Sequence, residues 1–196
     1  MAKKKAKTSI KAPAKAGAGV DAKAAPQTRL GLVQAAAEVY GLRSFDNYVQ
    51  IRSVAERLRD GLCVYLDDGQ KCVYLVPPQG PFAANDYGSA AFSVSGKGFL
   101  PLEPMSFGLA VQVSNLGDYM RIVVHCRKEG DHIYLQIEDH LKFDFDMPFN
   151  DHDLQTAYEG LYKYLLGWFE TRTDKYDNGH YGGSDIGFDI QRAISE

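Results

Sequence analysis

Three of the five histidines, His125, His132 and His140, fall in one short stretch of the chain. Imidazoles at that density suggest zinc, which needs three or four ligands converging at about 2.0–2.3 Å. On paired strands, however, His125 and His132 are diagonal neighbours with Arg127 between them, and a guanidinium beside a metal ion opposes binding. They therefore read as surface histidines, and no metal ligand is assigned. Asp144 and Asp146 put two carboxylates on one side of a strand. Acid–base work by such a pair needs an environment that separates their pKa values, and the flanking sequence offers none. Asp174, Asn178, His180 and Asp185 lack the alternating oxygen ligands and closing Glu of a calcium loop. Gly96-Lys97-Gly98 sets a cation between glycines without the length or the Ser/Thr of a phosphate loop. No serine or cysteine stands in a nucleophile elbow, and Cys63 and Cys72 have no neighbouring base in sequence. No residue is assigned as catalytic or cofactor-binding, and the balance leans away from an enzyme.

The elements that must carry these side chains centre on residues 107–170. Phe107, Leu109, Val111 and Val113 alternate with polar or small residues, as do Met120, Ile122, Val124 and Cys126, and then Ile133, Leu135 and Ile137. Period-two alternation marks half-buried antiparallel strands. Four-residue loops at Asn115–Asp118 and Lys128–Asp131, each with a glycine for positive φ, set Val111 opposite Ile122 and Val124 opposite Leu135. The same register sets Arg121 opposite Glu138 on a polar outer face. The phase continues through Leu141, Phe143 and Phe145, too long for one strand, so a bend is expected near 138–140. Pro148 ends the sheet. Asn150 then caps a helix whose stripe, Leu154, Tyr158, Leu161, Leu165 and Trp168, should cover the apolar sheet face. Gly160 and Gly167 within it allow close packing.

Ahead of the meander, Thr28 caps a helix that stops at Gly41, and Ser44 caps a second that stops at Gly61. Cys63-Val64-Tyr65-Leu66 and Cys72-Val73-Tyr74-Leu75 flank Asp67-Asp68-Gly69-Gln70, which reads as a hairpin over Leu62–Val76. In that pairing the cysteines lie diagonally, so no disulfide is expected. Residues 77–89 and 96–106 form Pro/Gly-rich loops around a short strand at 91–95. The expected fold class is α+β: two N-terminal helices, an antiparallel meander of about six strands, and a long C-terminal helix packed on one face. The organisation is a tail over 1–27, a single domain over 28–172 and a Gly/Asp-rich extension over 173–196. Phe188 and Ile190 in that extension supply an apolar piece for a last strand or a partner.

Charge is placed unevenly. Residues 1–27 hold seven lysines and one aspartate, a net of +6, while residues 28–196 carry a net of −9. A Lys/Ala-rich tail without apolar periodicity is expected to be disordered alone, and to act as an electrostatic arm or a tether. No run of eighteen apolar residues is present, so no membrane span is expected. No apolar region follows the basic N-terminus as in a signal peptide. Three cysteines, an odd number, fit a reducing cytoplasm.

Ala37 and Gly41 resemble the small residue and the turn glycine of a helix-turn-helix, although Asn47 and Gln50 fall where that motif buries aliphatic residues. The resemblance implies DNA binding through helices 29–59 and the Lys-rich tail. Two helices, a meander and a long helix resemble the order of helix-grip folds, which implies an apolar ligand between sheet and helix. From the residues themselves the first expectation is a non-catalytic protein-interaction or adaptor module that binds a protein partner or itself. The alternative is a small-molecule binder or enzyme with a pocket under loops 77–89 and 96–106. No cofactor is called for.

Overall fold

The computed structural model describes residues 28–66, 71–97, 100–137, 141–179 and 190–192. The first helix, α1 (Arg29–Tyr65), runs unbroken where two helices are expected. Thr28 caps it, its hydroxyl accepting from Gly31 N at 3.0 Å. Gly41 and Ser44 are interior residues. Gly41 does not adopt positive φ, and the buried Ser44 donates back to Tyr40 O at 2.8 Å, which keeps its polar group satisfied inside the helix. The hairpin expected over Leu62–Val76 does not form. Ile51, Val54, Ala55, Leu58 and Leu62 make a 3.6-residue stripe that is buried throughout. That stripe carries the helix through Gly61 to Tyr65, because each such aliphatic contributes about 1.5–3 kcal/mol when fully buried.

Gly61 therefore is not a stop. A methyl there would lie 1.9 Å from the Tyr158 hydroxyl, so its missing side chain is what lets the last helix approach. Cys63 at the end of α1 and Cys72 beyond it form a disulfide with a Cα–Cα distance of 5.6 Å. The diagonal placement expected from the hairpin disappears once Cys63 belongs to a helix. The turn residues 67–70 lie outside the described residues.

One antiparallel sheet follows. Its strands are β1 (Val73–Val76), β2 (Met105–Gln112), β3 (Asp118–Glu129), β4 (His132–Ile137) and β5 (Leu141–Asp146), ordered as in sequence. A three-residue β6 (Ile190–Arg192) pairs with Asp118–Met120 of β3, which β4 does not reach. Residues 91–95 are not a strand; Gly88–Ala91 is a 3-10 turn and Phe92 makes one bridge to Phe107.

Both hairpins carry the expected faces, in a register two residues away from the expected one. Val111 pairs with Met120 and Leu109 with Ile122. Ser114 causes the first shift. Its hydroxyl donates to Asp118 Oδ2 at 2.6 Å and accepts from the amides of Leu116 and Asp118, drawing the loop back to 114–117. In the second hairpin a two-residue turn, with Gly130 at φ 58°, replaces the four-residue loop and pairs Val124 with Ile137. An even slip keeps every side chain on its face, so Phe107, Leu109, Val111, Met120, Ile122, Val124, Cys126, Ile133, Leu135 and Ile137 all enter one core. The bend expected at 138–140 lies outside the described residues; β4 and β5 pair on either side of it.

The last helix, α2 (Asp151–Asp177), starts at Asn150 with a reciprocal capping box to Asp153. Leu154, Tyr158, Leu161 and Leu165 are buried against the sheet and Trp168 packs at the edge. Gly160 makes room for the Phe143 ring, whereas Gly167 faces open space. Tyr158 donates to Arg57 O at 3.0 Å, and Arg57 donates to Phe149 O, so α1 and α2 are tied at two points. The apolar face of the sheet is thus covered by α2 and by the second half of α1. On the outer face, the loop after β1 folds Phe82 over Val76, Ala110 and Tyr119.

Candidate interaction surface

Cross-strand register assembles one polar row on the outer sheet face: Ser106, His125, Gln136 and Lys142, from β2 to β5. Ser106 Oγ lies 2.7 Å from His125 Nδ1, and Ser106 N donates to Ser93 Oγ at 2.9 Å. Depressions of about 430 and 290 Å³ lie on either side of His125. The larger is lined by Arg127, Tyr134, Lys142 and Phe143 among others. Arg127 lies over the Tyr134 ring and pairs with Glu129 at 3.1 Å. The smaller depression sits where the ligand-binding alternative expects its pocket, but only Ser106 comes from residues 96–106. The Ser106–His125 distance is that of a nucleophile and its base. Nucleophilic catalysis also needs a group that orients the base and donors that hold an oxyanion. The neighbour of His125 on the next strand is Gln136, not a carboxylate.

His125 and His132 take different partners. His132 Nδ1 lies 3.3 and 3.2 Å from Asp144 and Asp146, His125 is bonded to Ser106, and His140 lies outside the described residues. Among the described residues no group of three or more His, Cys, Asp or Glu is placed to hold a metal ion. Asn178 closes α2 by donating to Asp174 O at 2.8 Å, while His180 and Asp185 lie outside the described residues. The expected pairing of Arg121 with Glu138 lies outside the described residues. Arg121 is buried under the loop after β1, where it donates to Pro77 O and Gly80 O at 3.0 and 2.7 Å and lies over Phe82. Burial lowers its pKa from the ordinary arginine value. Asp86 is held below the usual carboxylate range by the Lys71 ammonium at 2.8 Å. Burial pushes the Cys126 thiol up to about 12.

The part of the molecule left without cover is the first half of α1. No residue from Arg29 to Arg43 is buried. Leu30, Leu32, Val33, Val39, Leu42 and Phe45 are each 53–66 % exposed on this one segment. A protein surface tolerates single exposed apolar side chains, and six on one segment is more than that. The expected patch at Phe188 and Ile190 is represented by Ile190 alone among the described residues. The sequence does signal the true patch: Glu38 is the single charge between Arg29 and Arg43. Division into two short helices hides that signal, because each stripe then looks like an ordinary core face. No helix among the described residues is long and apolar enough to cross a membrane, so this segment is not a span.

Comparison with protein-family models, with curated proteins and with solved structures finds no match to this chain.

Proposed function

We propose that the chain is a non-catalytic protein-interaction module whose docking element is the first half of α1, with the lysine-rich residues 1–27 adding electrostatic attachment. One observation carries this: six large apolar side chains exposed on a helical segment where, from Arg29 to Arg43, no residue is buried. The body neither needs them for its core nor hides them, and burial against a protein would return about 25 cal/mol for each Å² of apolar surface covered. Photo-crosslinking tests it. A photoreactive residue at Val39 in the full-length chain, expressed in its native host, is expected to yield protein adducts. One at Lys163, on the exposed side of α2, is expected to yield none. Absence of protein adducts at both Val39 and Leu42 overturns the proposal.

The ligand-binding alternative is supported by the 290 Å³ depression beside Ser93, Ser106 and His125. Its open form and thin polar lining favour it less than the uncovered helix favours a protein partner.

A further inference from the structure

We infer that the occupant of this helix is a second copy of the chain, bound antiparallel over residues 29–46; this rests on the interaction function proposed above and names its partner. Arg29, Leu32, Ala36, Val39, Arg43 and Asp46 recur at spacings of three, four, three, four and three, the seam of a helix pair. Val33 and Tyr40 flank the seam on one side, Ala35 and Leu42 on the other. All six seam residues lie on one unbroken helix and none is buried.

Charge decides the orientation. In a parallel pair each residue meets its own copy, so Arg29, Arg43 and Asp46 would each face a like charge. In an antiparallel pair whose facing positions sum to 75, Arg29 meets the partner's Asp46 and Asp46 the partner's Arg29. Ala36 then faces the partner's Val39, a small residue against a larger one, and Leu32 lies under the aliphatic stem of the partner's Arg43. The flanks match too: Val33 falls beside the partner's Tyr40, and Ala35 beside the partner's Leu42. This pattern is self-complementary about a two-fold axis, as an isologous interface requires. It also covers Leu32, Val33, Val39 and Leu42, four of the six exposed apolar side chains, at once. Arg29 and Asp46 make no ion pair among the described residues.

The seam spans about 27 Å of helix at ~1.5 Å per residue. That is a short contact, of the class that gives a reversible dimer. A second complementarity supports it. Antiparallel pairing brings Thr28 of each copy opposite Asn47 of the other, where α1 meets the body. Residues 1–27 carry +6 and the rest of the chain −9, and opposite charges favour association of two copies. Tyr40 is 37 % exposed, and its hydroxyl accepts from Leu102 N at 3.1 Å.

Sedimentation equilibrium of the full-length chain tests the inference, with charge-swapped variants. The wild type is expected to show a reversible monomer–dimer equilibrium. Arg29→Glu and Asp46→Arg are each expected to weaken it about tenfold, because each change sets like charges together at both ends of the pair. The double variant Arg29→Glu/Asp46→Arg is expected to restore it. Val39→Asp is expected to leave a monomer with an unchanged unfolding midpoint, since Val39 touches nothing in the body. A wild type that stays monomeric at millimolar concentration overturns the second copy as occupant. So does a double variant no better than the singles. If the wild type is monomeric while Val39 still crosslinks to other proteins, the interaction function survives and self-association alone fails.

Discussion

Gly61→Ala sets two effects of opposite sign against each other. Gly61 lies inside α1, four residues before its end, and in a helix interior alanine is favoured over glycine by about 1 kcal/mol. Judged on propensity alone, the change stabilises. The structure reverses the sign. The new methyl would lie 1.9 Å from the Tyr158 hydroxyl and 2.3 and 2.9 Å from two ring carbons. Restoring ordinary contact moves the ring end by about 1.5 Å. Tyr158 is buried, and its hydroxyl donates to Arg57 O at 3.0 Å. Overpacking at such a site costs about 1–3 kcal/mol, and losing the hydrogen bond about 1 kcal/mol. After the propensity gain, a net loss of about 1–3 kcal/mol remains, or roughly 3–10 °C in Tm for a domain of this size. The assay is thermal and urea unfolding followed by circular dichroism, run also in a Tyr158→Leu background. There the obstructing atoms are gone, so Gly61→Ala is expected to be neutral or stabilising by up to about 1 kcal/mol, a coupling of about 2–3 kcal/mol. A rise in Tm on Gly61→Ala in the otherwise native chain would refute the close approach of α1 and α2. With it would go the rigid seat from which the uncovered segment projects.

Reduction, or the pair Cys63→Ser/Cys72→Ser, is expected to lower stability by about 2–3 kcal/mol, the loop-closure value for a ten-residue ring; urea midpoints with and without reductant check this, and identical midpoints count against the disulfide in solution. Arg121→Met keeps the buried stem and removes the donors to Pro77 O and Gly80 O; it is expected to cost about 1–3 kcal/mol and to hasten chymotryptic cleavage at Phe82, and unchanged cleavage would show that the loop holds without it. Cys126 binds its proton more tightly folded than unfolded, so its stabilising contribution is present below about pH 9 and is lost as pH rises towards 12. By pH 11 the loss is about 2–3 kcal/mol. Midpoints taken from pH 8 to 11 are expected to fall more steeply in the native chain than in Cys126→Val, and parallel curves would remove the buried thiol as the cause.

Period-two patterns made the sheet face legible, because a residue's side depends only on parity. The apolar residues expected inside from Phe107 to Ile137 are buried, except Val113, which packs half-buried against the core. Register was not legible to the same degree. It depends on Ser114 recruiting the Asp118 carboxylate and amide, a local hydrogen-bond choice that alternation does not encode. The first helix was misdivided for a related reason. Gly41 and Gly61 carry ordinary stop signals, yet tertiary contact decides: Tyr158, nearly a hundred residues later in the chain, needs the space at Gly61. The Cys-Val-Tyr-Leu strings matched a hairpin only while both were taken as strands. Once burial of Leu62 holds the first string in a helix, the disulfide follows from proximity. Of the candidate chemistry, His125 and His132 take different partners, Ser106 and the Asp144/Asp146 pair. The Ser106–His125 contact escaped notice because it depends on the two-residue slip.

The uncovered segment of α1 and its helical state are thermodynamically linked. From Arg29 to Arg43 no residue is buried, so the helix there rests on local propensity, the Thr28 cap and the hydrogen bond from Leu102 N to the Tyr40 hydroxyl. An isolated helix of that length is marginal in water even when rich in alanine. Cover on the Leu32–Ala36–Val39 seam adds the missing energy, and adds it to this segment alone, since the buried stripe begins only at Ser44 and Ile51. Two layers of stability follow from one helix. The body unfolds as a unit whose midpoint does not depend on a partner, whereas amide protection of residues 29–43 rises with whatever occupies the seam. Whatever it costs to order that segment is subtracted from what its cover supplies, and the body's own stability is left unchanged. An apolar half-helix can therefore stand outside a body whose apolar sheet face is closed by α2 and the second half of α1.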